Sequence, residues 1–268
     1  MASAVRSARL YGLLLLADVR SRMQYRANYI LLMITILPTQ LLTLAFVWML
    51  VQRFGRINGW GFWELAFLNG LIRVPQGIGY VFRSVMFVEN YILAGTLDKF
   101  LLRPRDVLCQ TIAERCNFAS FFGEAVPGLA ILAASAHQLR LAFGALDVLY
   151  LAAALAGGTM IYLGLMVAQG AACFFTLRGS ALRTFMLTTQ EYTSYPLTIY
   201  HPLLQLLLTF VLPFAFINFY PAHHFFRPGP APFAPWLAYL TPALGAAVMY
   251  GAWRLWRAGL ARYQGAGS

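Results

Sequence analysis

The feature that most limits this chain is a run of 25 residues, 27–51, without one charged side chain. About 20 consecutive apolar residues in a helix cross the hydrocarbon core of a bilayer. Lipid offers backbone N–H and C=O groups no partners, so such a run must be helical and satisfy its own hydrogen bonds. Only 11% of the chain is charged, against about 25% in a soluble domain, and 60% is hydrophobic. These values imply an all-α, polytopic membrane protein forming a single transmembrane domain over 1–268.

Five further stretches are long and apolar enough to be read as spans: 62–82, 117–136, 148–177, 200–219 and 235–253. Residues 5–26, with Arg6, Arg9, Arg20 and Arg22 around an apolar stretch, resemble a signal peptide. Asp18 and the following arginines leave no clean cleavage site, so residues 1–26 are read as an interfacial amphipathic helix. With the N-terminus inside, fifteen of the twenty basic residues fall on that side and four on the other, and Arg73 lies within a span. Basic residues collect on the cytoplasmic side of membrane proteins, so both termini are expected in the cytoplasm. The net charge of +11 therefore reports topology and lipid contact, and no nucleic-acid partner is expected.

One cytoplasmic stretch breaks the apolar pattern. Residues 95–106 read GTLDKFLLRPRD, with five charges in twelve residues. Gly95 and Thr96 read as a helix stop and an N-cap, followed by a short helix with Leu97, Phe100, Leu101 and Leu102 on its apolar face. Pro104 suits the first turn of a second helix, Arg105 to Cys116, leading into the third span. A second marked stretch, Tyr195 to Ala222, carries Tyr195, Pro196, Pro202, Pro213 and Pro221.

Together these motifs resemble the permeases of the ABC-2 type, in particular a six-span subfamily of roughly 260 residues that includes viologen-exporter-like proteins. Gly95, Leu97, Asp98, Leu101, Arg103 and Pro104 carry the first motif, and Tyr195, Pro196, Pro213 and Pro221 the second. The resemblance implies a subunit of an ATP-binding cassette exporter in the cytoplasmic (inner) membrane. It also implies a dimer with a second permease, identical or homologous, docked on two copies of a separate ATPase. The 95–106 loop, with Lys99 and Arg105 beside the motif residues, would be the coupling helix. ATP would be bound by the partner, since the chain has no G-x-x-x-x-G-K-[ST] phosphate loop and needs no cofactor of its own.

Charges within spans are costly and normally face protein or water. Arg73, Glu124 and Glu64 are therefore candidates for an intramembrane polar site or pathway. Arg73 lies about 15 Å above Arg83, and Glu124 about 10 Å above Asn117, at 1.5 Å per helical residue. A pair between spans two and three is within reach, as is snorkelling of Arg73 or early exit of the span near Pro75. Ala152, Ala156, Gly164, Ala168 and Ala172 form a small-residue ladder, read first as packing within the subunit and second as a dimer contact. Glu191 reads as a cap or ion-pairing group on the inner face. His223 and His224 lie in a Phe- and Pro-rich outer segment read as a short closure. The three cysteines form no C-x-x-C, and no metal site is indicated. The alternatives are an intramembrane enzyme, disfavoured because His137 and His201 fall near opposite faces, a haem-handling protein, which lacks W-G-x-x-W segments, and a passive channel or scaffold.

Overall fold

The computed structural model describes residues 26–114, 116–176, 179–226 and 232–263. The segment 1–25, which holds nearly all of the expected interfacial helix, lies outside them. Eleven helices are labelled in chain order. They are α1 (Arg26–Phe54), α2 (Phe62–Val81), α3 (Val88–Leu93), α4 (Asp98–Leu101), α5 (Val107–Ala113), α6 (Phe118–Gln138), α7 (Ala145–Ala172), α8 (Gly179–Glu191), α9 (Pro202–Val211), α10 (Phe214–Phe226) and α11 (Thr241–Leu260). Short 3₁₀ turns at Arg83–Phe87 and Pro235–Leu240 lead into α3 and α11. No strand occurs among the described residues; the turn after α1 closes on one bridge, Ile57 to Trp60.

The residues of α1, α6 and α7 make helices long and apolar enough to cross a membrane, and α9 with α10 does so only as a bent pair. The ends of α1, α2, α6 and α7 lie within a few residues of the expected spans. α2 is nonetheless the central helix, with most of its side chains buried on all sides. Its glycines explain how neighbours come so close. A Cβ on Gly70 would lie 2.7 Å from Leu132 Cγ, and one on Gly77 would lie 2.4 Å from the Ala125 backbone nitrogen. α7 and α11 run side by side by the same means: Gly245 abuts the Gly157 carbonyl, and Gly164 abuts Met249. The small-residue ladder thus turns inward at its far end, while Ala152 and Ala156 face outward.

Two corrections concern the second half. The span expected over 200–219 is not one helix: α9 and α10 meet at 75°. Pro213 stands at the break, where it supplies no N–H, and Pro202 opens α9 harmlessly at its first turn. Residues 179–191, part of the connection between the expected fourth and fifth spans, form α8. The run 179–200 then follows the length of α2. Near the lower end of α2 Arg183 donates to the Met86 carbonyl at 3.2 Å. Higher up, Asn69 donates to the Ser194 carbonyl at 3.0 Å, and at the opposite end Asn58 donates to the Thr198 carbonyl at 3.1 Å. His223 and His224 lie on helix α10 rather than on an extended chain, with His224 Nε2 3.7 Å from Asp147 Oδ1 at the start of α7.

Candidate functional site

The charged stretch after α3 folds into a rigid knob. Gly95 ends the preceding turn in the left-handed region (φ 63°), which a residue without Cβ adopts freely. Thr96 is not the N-cap that the sequence pattern predicts; its hydroxyl donates to the Tyr91 carbonyl at 3.4 Å, and Leu97 occupies the cap position. Leu97 and Phe100 are fully buried, and the Phe100 ring meets Tyr91 edge-on at 5.7 Å. The second helix begins at Val107, later than the predicted Arg105. Asp106 Oδ1 caps it by accepting from the Cys109 N–H at 3.0 Å, so Pro104 belongs to the turn between the helices.

The charges of this loop are partly used internally. Asp98 Oδ1 accepts from the Tyr263 hydroxyl at 3.0 Å, and Lys99 Nζ lies 2.6 Å from Glu114 Oε1. Burial, and then the hydrogen bond to Asp98 and its negative charge, push the Tyr263 phenol above its ordinary range. Gln110 Nε2 donates to the carbonyls of Phe100 and Arg105 at 3.0 and 3.1 Å, fastening α4 to α5. What projects is Leu101, Leu102, Arg103 and Pro104, with Leu102 86% exposed. The knob is also tied to the long helices. Ser84 Oγ, just below α2, donates to the Thr111 carbonyl at 2.6 Å, and the Asn117 N–H donates to the Val81 carbonyl at 2.9 Å. The knob is thereby joined to the turn that follows α2, and the chain beyond it is fastened to the end of α2 just before α6 begins.

Within the bundle, Arg73 and Glu124 pair at 3.1 Å between α2 and α6, with little of either side chain exposed. Glu124 sits in a π-helical turn, Phe121–Ala125, and Pro127, four residues after Gly123, has no N–H to give the Gly123 carbonyl. Gln40 of α1 takes up both groups. Its Nε2 lies 2.7 Å from the Gly123 oxygen and 2.8 Å from Glu124 Oε2. Gly128 lets the backbones close, since a Cβ there would lie 2.8 Å from Arg73 Cβ. Glu64 does not join this cluster. It caps the start of α2, accepting from the Gly61 N–H, and pairs with Arg56 at 3.3 Å.

The residues of the later motif stand apart from both clusters. Tyr195 is extended and Pro196 is buried, where the chain leaves α8. Pro213 and Pro221 are buried in and near the break. The sequence reading missed Asn69 and Asn218, which hold this segment. Asn218 Nδ2 donates to the Thr193 carbonyl at 2.6 Å, complementing the bond from Asn69 to Ser194. An amide inside an apolar helix is the signal that could have found them. Glu191 is exposed on the outward face of α8, in line with exposed Thr184 and Thr188, and makes no cap.

Comparison with known families matches residues 36–267 to the family described as ABC-2 family transporter protein. No curated protein and no solved structure matches the chain. The matched region runs from within the first apolar helix to beyond α11 and includes the knob, the buried ion pair and the bent helices. This multi-pass helical chain belongs to the ABC-2 transporter family, whose members are the membrane subunits of transporters that work with ATP-binding cassette ATPases.

Proposed function

We propose that the chain is the permease subunit of an exporter, moving a substrate outward across the cytoplasmic membrane with energy from a separate ATPase. Six crossings are made by α1, α2, α6, α7, the run 179–200, and 235–260, with both termini in the cytoplasm. α9 and α10 then form a re-entrant pair that dips in from the outer side. Two ATPase copies bind ATP and dock on two permeases, this chain and an identical or homologous second one. The chain itself carries out no chemistry and holds no cofactor.

The observation that carries this reading is the knob at 95–114: an exposed apolar and cationic tip on a base hydrogen-bonded to Ser84, just after α2, and to Tyr263, just after α11. A solvated loop would have no use for that rigidity. The outward line of Thr184, Thr188 and Glu191 supports a second permease and a wetted space between the two. A carboxylate facing hydrocarbon costs at least about 2.5 kcal/mol, so its face calls for polar cover.

The test is co-purification with a co-expressed ATP-binding cassette ATPase, together with its hydrolysis rate in reconstituted membranes. Leu102→Asp with Arg103→Ala should leave the permease folded, because both side chains project outward. ATPase binding should weaken by roughly 2 kcal/mol or more, as for desolvated interface charges that lose a partner. Normal binding and normal hydrolysis in this variant would refute the docking role.

A further inference from the structure

The end of α11 carries a basic and aromatic surface that belongs neither to the projecting tip of the knob nor to the buried ion pair. Tyr250, Gly251, Trp253, Arg254, Leu255 and Arg257 line an open face of this one helix. Its two arginines are held by aromatic rings. The Arg257 guanidinium lies 4.9 Å from the centre of the Trp253 ring, and Arg254 donates to the Tyr250 hydroxyl at 3.2 Å. The two rings are themselves 5.9 Å apart. Stacking fixes a guanidinium while leaving its N–H edge free to bind an oxyanion. Among the described residues no carboxylate pairs with either arginine, and a Cβ on Gly251 would meet nothing within 4 Å.

The depth of this surface is set by α7. Trp256 packs edge-on against Phe174 at 5.2 Å, two residues past the end of α7 at Ala172. Arg254 and Arg257 therefore lie where the long helices stop, at the level of lipid headgroups. Arg262, 5.3 Å from the centre of the Phe175 ring, extends the basic band outward.

We infer that this face is a binding site for one anionic phospholipid, its phosphate held by Arg254 and Arg257 and its acyl chain running past Tyr250 toward the bilayer centre. Two cations without a carboxylate select a net-negative headgroup over a zwitterionic one, and the planar arginine fork matches phosphate oxygens in pairs. The segment 1–25 is a poor occupant on charge, since Arg6, Arg9, Arg20 and Arg22 outnumber its one acidic residue, Asp18. The inference requires only that the chain sit in a membrane, and its test needs no ATPase, so it stands or falls apart from the export reading.

Native mass spectrometry of the full chain, titrated with phosphatidylglycerol and separately with phosphatidylcholine, measures the site. R254Q/R257Q should lower phosphatidylglycerol affinity on the order of tenfold and leave phosphatidylcholine binding unchanged. The control R53Q/R140Q, which removes the same charge elsewhere, should change neither. Equal losses in the two variants, or no loss in either, would overturn the site. So would an altered oligomeric mass in R254Q/R257Q with lipid binding intact, because this face would then be a protein interface. If R254Q/R257Q does not fold, R254K/R257K keeps the charge without the planar fork. A several-fold loss is expected of it, and undiminished affinity overturns the proposal.

Discussion

Two ion pairs in this molecule have similar chemistry and opposite surroundings. Arg73 and Glu124 lie 3.1 Å apart, with 17% and 11% of their side chains exposed; Lys99 and Glu114 lie 2.6 Å apart, with 43% and 26% exposed. The shorter pair should be the cheaper one to break. Water screens Lys99 and would solvate either partner if the other were lost, so such pairs contribute about 0–1 kcal/mol. Around Arg73 and Glu124, protein has replaced water, and the loss of one partner strands the other. Burial, rather than distance, is therefore expected to set what each pair costs to break.

The largest effect should therefore come from breaking the buried pair on one side. Arg73→Gln or Glu124→Gln should each lower stability by about 3–5 kcal/mol, seen as lost folded yield and a lower melting temperature in detergent. The reversed pair, Arg73→Glu with Glu124→Arg, should recover part of the loss. Arg73→Leu with Glu124→Leu should recover more, since two apolar residues leave no buried charge. Independent, additive losses in the double variants would remove the pairing from the account of stability.

A smaller effect tests what brings the buried partners together. A Cβ at Gly77 would fall 2.4 Å from the Ala125 nitrogen, in the same π turn that presents Glu124. Gly77→Ala should force α2 and α6 apart and cost about 1–3 kcal/mol, read from the same melting curves. Gly55, whose Cβ would meet nothing within 4 Å, has a positive φ and serves poorly as a control; Gly251, equally open, serves well and should be near neutral as alanine. A Gly77→Ala protein as stable as wild type would mean that the pair forms without close backbone contact.

Residues that lipid or tight packing selects were legible in the sequence; residues selected by contacts remote along the chain were not. The uncharged run 27–51 announced α1, and the depths of Arg73 and Glu124 put their meeting within reach. The π turn that aims Glu124, and Gln40 as its third partner, depend on a contact 84 residues apart and left no local trace. α8 was missed for a related reason. Its outward face carries Thr184, Thr188 and Glu191, and its inward face mixes Met186 with Thr189 and Gln190, so its hydropathy is too low to mark a span. Proline misled in one place and informed in another, because Pro202 and Pro213 look alike in sequence. One opens a helix and the other breaks it, and only the geometry on either side tells them apart.

The smallest stability effect belongs to the exposed pair, and salt offers the sharpest separation of the two. Lys99→Ala or Glu114→Ala should each cost about 0.2–1 kcal/mol, and less as ionic strength rises, because the Debye length falls from about 10 Å at 0.1 M to about 3 Å at 1 M. The buried pair is screened far less, so Arg73→Gln should remain costly in the same high-salt series. The Lys99 variants should still show a functional defect out of proportion to their stability. Lys99 to Glu114 closes the knob from one side, as Asp98 to Tyr263 ties it to the end of α11. Loosening the first contact lets the tip at Leu102 and Arg103 move without carrying α2 and α6 along. In a reconstituted complex, ATP hydrolysis should then persist while transport falls. Melting curves at low and high salt, run beside the hydrolysis-to-transport ratio, measure both consequences. A Lys99→Ala protein with a large, salt-independent loss of stability would place this pair in the same class as the buried one and dissolve the contrast.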